Sequence, residues 1–280
     1  MKICLANVAV APKGDEFVER LIAIWRQNFN LVKQADTEIV SRFSTWGIQG
    51  MDGFFFHNID TLNAPIVYHS AVSAEADGFD GVLITCFGDP MLHQIRQAIN
   101  IPVASIGESA LLMASTMGSK FGIIHISDYN ILETRHTIAK YGLSDRLANI
   151  RSINEPPREQ GGAIFNATHS IEKFKKVARE LIADGAEVLI PACGLMSPAM
   201  RFAPGATDEY PNGLTEVDGV PVVDVLSCGI KMVETMVALK KGGSSWISRK
   251  NMYVQPTPAA LESGAMVLRD ERVQFWDASL

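Results

Sequence analysis

No stretch of this 280-residue chain holds the roughly 18 consecutive apolar residues that crossing a bilayer requires, so no membrane-spanning helix is expected. Positive charge is also in short supply. Lys and Arg number 25 against 31 Asp and Glu, a net charge of −6, which argues against nucleic acid or an anionic membrane surface as partner. Cysteine is scarce: four residues, widely spaced, with no C-x-x-C, which reads as free thiols of a reducing cytoplasm rather than a disulfide framework. No G-x-G-x-x-G follows a strand pattern and no P-loop occurs, so neither a dinucleotide nor a nucleoside triphosphate is suggested, and no cofactor is expected. His57, His69, His93, His136 and His169 never fall into metal-ligand spacing such as H-E-x-x-H, so no metal is expected. Met1-Lys-Ile-Cys4 enters a strand pattern at once, with no signal-peptide pattern, and a cytoplasmic location is expected.

What is present is an ordinary globular composition, 47% apolar and 20% charged, at a length that allows one large domain or two lobes. The chain is organised around Gly81-Val-Leu-Ile-Thr-Cys86-Phe-Gly-Asp89-Pro90. Val82 to Thr85 read as a strand buried on both faces, the kind found in a parallel sheet. Asp89 suits a helix N-cap and Pro90 the first helical position. That places Cys86 at the carboxyl end of a strand, where open α/β sheets bind their ligands.

The same pattern returns in Glu187-Val-Leu-Ile-Pro-Ala-Cys193-Gly-Leu-Met-Ser197-Pro198. Ile101-Pro-Val-Ala-Ser-Ile-Gly107 follows the first copy and Val220-Pro-Val-Val-Asp-Val the second, each leading into an apolar helix. Lys2-Ile-Cys-Leu-Ala-Asn7 and Lys120-Phe-Gly-Ile-Ile-His125 match upstream. The chain therefore reads as a duplicated βα unit: an α/β protein of two pseudo-symmetric lobes, each with a mostly parallel sheet flanked by helices. Residues 1–105 and 220–280 form one lobe and 106–219 the other, with the active site in the cleft between them.

Between these landmarks the spacing predicts a helix over Asp15 to Leu31, a strand over Thr37 to Ser41, and a long loop over Phe43 to Asn63 carrying the run Phe54-Phe55-Phe56. Helices follow at Pro65 to Ala76 and Ala110 to Met117, then at Tyr129 to Tyr141 and Ser170 to Asp184. An irregular insertion is expected at Arg201 to Asp218, a strand at Val220 to Leu226, and a helix at Gly229 to Leu239. The tail from Ser244 to Leu280 is aromatic enough to be a docking arm.

Two thiols facing each other across a cleft suggest one chemistry directly. A thiolate takes a proton from a carbon next to a carbonyl, and a thiol on the opposite face returns one, inverting the centre without a cofactor. The enolate formed on the way needs donors. Backbone N–H groups of Phe87, Gly88, Gly194 and Leu195, at the two expected helix starts, are placed to supply them. Cys4, inside a strand, and Cys228, opening an apolar helix, read as core residues. Asn7 either binds a substrate carbonyl or caps a turn, Thr85 precedes the first thiol, and His125 either contacts substrate or is a satisfied core group. Ser127 and Asp128 read as helix caps, the alternative being that Ser127 also reaches the ligand. Phe54 to Phe56 form a lid or fill core. Glu108 and Asp224 hold loops.

These segments resemble the aspartate/glutamate/hydantoin racemase superfamily, most closely its hydantoin racemase branch. Thr85-Cys-Phe-Gly-Asp-Pro90, Ile101 to Glu108, Lys120 to Ile124, Gly185 to Ile190 with Cys193-Gly194, and Gly219 to Asp224 carry the resemblance, in the family's order. It implies two flavodoxin-like lobes, catalytic cysteines at Cys86 and Cys193, and a substrate-contacting Asn at Asn7. The chain departs from the branch in having Asn7-Val-Ala where Asn-Pro-Asn is usual, His125 in place of Thr, and Gly194-Leu195 after the second cysteine. The expected function is a racemase or epimerase acting on a small hydantoin-like or amino-acid-derived substrate, assembled as a homo-oligomer. Three other readings stay open: a sibling cis–trans isomerase or decarboxylase using one cysteine, a non-catalytic small-molecule-binding protein, and a redox-sensing cysteine pair.

Overall fold

Ile3, Cys4, Leu5 and Ala6 are completely shielded from water, and this run sets β1 (Lys2–Val10) at the centre of the larger sheet. The computed structural model describes residues 1–50, 52–268 and 272–280. Strands β2 (Glu38–Ser44) and β3 (Gly81–Ile84) flank β1 in parallel, and β4 (Val103–Ser105) runs parallel to β3. Helices α1 (Glu16–Asn30), α2 (His57–Asn63), α3 (Pro65–Ala76), α4 (Leu92–Ala98) and α5 (Ile106–Met117) connect or follow these strands. In α1, Asp15 caps the first turn by accepting from the Val18 N–H at 3.2 Å, and Val18, Leu21, Ile22, Trp25 and Phe29 face the core at helical spacing.

The second half repeats the arrangement. Here β5 (Phe121–His125) lies between β6 (Leu147–Ser152) and β7 (Val188–Pro191), all parallel, as β1 lies between β2 and β3. Helices α6 (Ile131–Lys140), α7 (Pro157–Gly162), α8 (Thr168–Ala183), α9 (Met196–Phe202) and α10 (Ala206–Glu209) accompany this sheet. A small hairpin, β8 (Glu216–Val217) with β9 (Val220–Pro221), leads to α11 (Val225–Lys241). This last helix returns to pack on β3, β4 and α5. The expected fold of parallel sheets flanked by helices is thus present, and one apolar core runs from Leu5 and Trp25 through Ile106 to Ile123, Ile190 and Leu226.

Four expectations need correction. Asp89 does not cap α4. Its backbone is left-handed (φ 51), its side chain accepts from the Gly107 N–H and the Tyr141 hydroxyl, and the helix begins only at Leu92 behind Met91. In the second copy Ser197 and Pro198 lie inside the first turn of α9, which starts two residues earlier than expected. The strand expected over Val220 to Leu226 shrinks to the two residues of β9 and one bridge, Val222 to Leu189. Pro221 has no N–H for a ladder, and Asp224 caps α11 by accepting from the Ser227 N–H. The supposed loop over Phe43 to Asn63 is part strand, part 3₁₀ turn (Asp52–Phe55) and part helix α2, with Met51 outside the described residues.

The aromatic tail docks on its own chain. After α12 (Pro258–Ser263) and α13 (Ala265–Leu268) comes β10 (Phe275–Ser279), which pairs antiparallel with β2 and covers the sheet edge. Trp276 stacks on Phe43 and donates its indole N–H to the Ala11 carbonyl, while buried Arg42 grips Asp277 in a two-pronged ion pair. Tyr253 bonds and stacks with His93 on α4. Among the described residues, no helix is long and apolar enough to cross a membrane.

Candidate active site

Where the central strands of the two sheets end, their loops enclose a cavity of about 460 Å³. Thr85, Cys86, Phe87 and Gly88 reach it from the end of β3, and Cys193, Gly194 and Leu195 from the end of β7. Asn7 comes from β1 and His125 from the matching position of β5. Of the residues expected from sequence to act on or bind the substrate, Ser127 is the one that stays off the wall. Its hydroxyl accepts from the Tyr129 N–H and caps a short 3₁₀ turn.

Both thiols are half-buried and share this cavity. Burial pushes the Cys86 thiol well above its ordinary range, and negative charge on Asp60, Cys193 and Asp89 adds to the effect. The Gly88 N–H, bonded to the Cys86 sulfur, works in the opposite direction. At the other thiol the Leu195 N–H donates to the Cys193 sulfur at 3.4 Å. In each half, then, the residue two positions after the cysteine points its N–H at the sulfur. The donors expected for an enolate at Gly88 and Leu195 are therefore engaged with the thiols themselves. Among the described residues, no bond takes up the N–H groups of Phe87 and Gly194. By contrast Cys4 is sealed in the core, where burial pushes its thiol up to about 12, and Cys228 is likewise pushed to about 12, away from the cavity wall.

Asn7 has little left to offer a ligand. Its amide donates to the Ser41 hydroxyl and the Arg42 carbonyl, both at 2.9 Å, and its oxygen accepts from Thr85 at 2.7 Å. It fixes Thr85, the residue before Cys86. Gly194 fixes the other side: Trp25 donates its indole N–H to the Gly194 carbonyl, and a Cβ at this glycine would stand 2.3 Å from the Thr85 carbonyl oxygen. The two cysteine loops therefore touch backbone to backbone, which only glycine permits.

His125 is buried, its Nε2 sharing a 2.9 Å hydrogen bond with the Thr134 hydroxyl and its ring lying edge-on to Phe87. Among the described residues its Nδ1 has no partner, nor has the buried Oδ1 of Asn130, another wall residue. Burial pushes the His125 imidazole down to about 4, so it is neutral near neutral pH. An unfolded chain takes up this proton near its ordinary value of about 6.5, while the fold keeps the ring neutral. The stability this residue lends is present above about pH 6.5 and lost as pH falls toward about 4. Asp89, pushed up to about 6 by burial, acts in the opposite sense, lending stability at low pH that is lost as pH rises through about 6. Replacing His125 by Gln isolates the first effect. The drop in melting temperature between about pH 7.5 and 4.5 should be smaller in H125Q than in the wild type, and equal drops would refute it.

One wall of the cavity was foreseen only in its Phe run, as a lid or core; His57, Asp60, Tyr129 and Glu133 carried no site role in the sequence. Phe54, Phe55, His57 and Asp60 line it from the segment ending in α2, and Tyr129 and Glu133 line it from the other half. At the mouth the Phe56 and Tyr129 rings, both exposed, come within 6.4 Å of each other. The Phe run thus contributes both wall and lip. Asn63 holds this segment in place, accepting from the Ile48 N–H and donating to the Val8 carbonyl.

A family model described as Asp/Glu/Hydantoin racemase matches residues 45–233. A hydantoin racemase of Pseudomonas sp. (strain NS671) is 26% identical over 233 residues, 82% of this chain and 86% of that protein. A hydantoin racemase of Paenarthrobacter aurescens is 29% identical, covering 64% of this chain and 68% of its own. Among solved structures, an allantoin racemase from Klebsiella pneumoniae superposes with a TM-score of 0.72 at 24% identity, covering 91% of this chain and 94% of the other. A glutamate racemase from Bacillus anthracis superposes with a TM-score of 0.55 at 12% identity, over 86% and 82% of the two chains. These structural likenesses bear on the fold.

Proposed function

The chain belongs to the Asp/Glu/hydantoin racemase family, and from that premise we propose that it inverts the acidic carbon of a neutral cyclic ureide, of the hydantoin or allantoin kind, using Cys86 and Cys193 as an acid/base pair without a cofactor. The carrying observation is the charge of the wall. Among the described residues that line the cavity there is no Lys or Arg, while Asp60 and Glu133 are both there. A free aspartate or glutamate would bring two more carboxylates into this space with no Lys or Arg to meet them, at a cost of several kcal/mol each. A ring carrying only N–H and C=O groups meets no such barrier. The same lack of cations disfavours a malonate-type dianion and so the decarboxylase reading.

In the proposed cycle one sulfur enters as thiolate and takes the proton from the ring carbon, becoming a thiol and leaving an enolate. The opposite sulfur, a thiol at the start, gives its proton to the other face and becomes the thiolate. Burial and neighbouring negative charge favour Cys86 as the resting thiol. The N–H two residues on stabilises negative charge at either sulfur, so the assignment rests on the burial and negative surroundings of Cys86. The free N–H groups of Phe87 and Gly194 are the candidate donors to the enolate oxygen.

The test is exchange in heavy water. Both enantiomers of a 5-substituted hydantoin or of allantoin should gain deuterium at the ring carbon, with loss of optical rotation, while free aspartate and glutamate should not react. Saturable binding of these ureides without exchange would make the chain a binding protein. Carbon dioxide release from a malonate would make it a decarboxylase.

A further inference from the structure

Asp60 lies on α2, in a segment with no helical or strand periodicity in the sequence, yet it reaches the cavity. It is half-buried, and among the described residues no hydrogen bond reaches its carboxylate. It is not serving as a cap, since α2 begins behind Phe56 with no side-chain cap bond. Burial holds its carboxyl above the ordinary range, with His57 pulling weakly the other way. After burial, its charge is also the largest influence on the Cys86 thiol, and α2 belongs to the half of the chain that carries Cys86. Elsewhere on the same wall, the Asn130 Oδ1 and the His125 Nδ1 are buried and, among the described residues, have no hydrogen-bond partner. An unpaired carboxylate in a half-closed, mostly apolar space is costly unless a ligand satisfies it.

We propose that Asp60 is a specificity-determining residue, whose carboxylate accepts a ring N–H of the cyclic ureide held between the two thiols and turns away substrates that carry negative charge there. This rests on reading the chain as a racemase of cyclic ureides. A ring of this class has two N–H groups on different edges. Asp60 and the Asn130 Oδ1 are two acceptors on this wall, a matching number, and among the described residues neither has a hydrogen-bond partner. An N–H to carboxylate bond is charge-assisted, and a lost one typically weakens the complex by about 10- to 100-fold.

The experiment compares a 5-substituted hydantoin with its N1-methyl and N3-methyl derivatives, using wild type, D60N and D60A. In the wild type one of the two methyl compounds should lose about 10- to 100-fold in kcat/KM, mainly through KM. D60A should lose a similar factor on the parent and little more on that methyl compound, because the partner is already gone. D60N keeps the size of the side chain without its charge and should fall between. The charge on Asp60 also bears on Cys86, but that influence is the same for every substrate and cannot produce a penalty that depends on the methyl group. Wild-type racemisation with full activity in D60A, or losses that simply multiply for both methyl compounds, would overturn the role of Asp60 and leave the racemase reading intact. If the wild type does not racemise the parent, the racemase reading fails, and calorimetric binding decides on Asp60. Discrimination against one methyl compound that disappears in D60A supports it, and undiminished discrimination or absence of binding overturns it.

Discussion

Cys86→Ser and Cys193→Ser should each lower racemisation by at least about 10³-fold, within the range general acid–base groups contribute. A serine hydroxyl holds its proton far too tightly to act as base near neutral pH, so each variant lacks one half of the proton relay. The two should nevertheless fail differently. Cys86→Ser keeps Cys193, whose sulfur receives the Leu195 N–H. It should still remove and replace a proton from one face, so one enantiomer takes up deuterium without inverting. Cys193→Ser must rely on Cys86 as base, and burial together with Asp60 opposes ionisation there. Its exchange should be far slower, and on the other enantiomer. Undiminished inversion in both variants would end the two-thiol mechanism. Equal residual exchange would end the assignment of resting thiol and resting thiolate.

The repeated strand–cysteine–glycine pattern made the two sheets and both thiols legible, because a continuous apolar strand has only one environment that suits it. The order β2-β1-β3 matched by β6-β5-β7 follows from the same repeat. What the pattern did not carry is where side chains spend their hydrogen bonds. Asp89-Pro90 looks like a helix start, yet Asp89 is drawn to the Gly107 N–H and to Tyr141, contacts 18 and 52 residues away. Asn7 looks like a ligand contact, but its amide is committed to Ser41, Arg42 and Thr85. Asp60 was invisible for the converse reason. Among its residues α2 buries only Asn63, so it has no apolar stripe for periodicity to detect. A short helix on the lip of a cavity is shaped by what it faces, not by a core.

Gly194→Ala should damage inversion more than it damages folding. Gly194 is not in the left-handed region, so the new methyl group imposes no backbone strain of its own, and space alone decides. The nearest atom is the Thr85 carbonyl oxygen at 2.3 Å, with Ile106 Cδ1 next at 3.1 Å. A backbone oxygen cannot rotate aside as a side chain does, so one of the two loops must retreat by about 1 Å. Overpacking of this kind typically costs about 1–3 kcal/mol, and melting should fall by several degrees. Gly88→Ala is the contrasting case: its nearest neighbour, the Cys86 sulfur at 3.8 Å, is at ordinary contact distance, so melting should hardly change. The atoms that must part in Gly194→Ala belong to residues adjoining Cys86 and Cys193, so the displacement widens the gap between the sulfurs. A misplacement of about 1 Å at reacting groups can cost about 10²-fold. Deuterium exchange on one face uses a single sulfur, whereas inversion uses both across the gap. The ratio of inversion to exchange should therefore fall in Gly194→Ala, with kcat reduced and KM little altered. A variant that melts lower but keeps the wild-type ratio would show that the spacing set by this glycine does not govern the reaction.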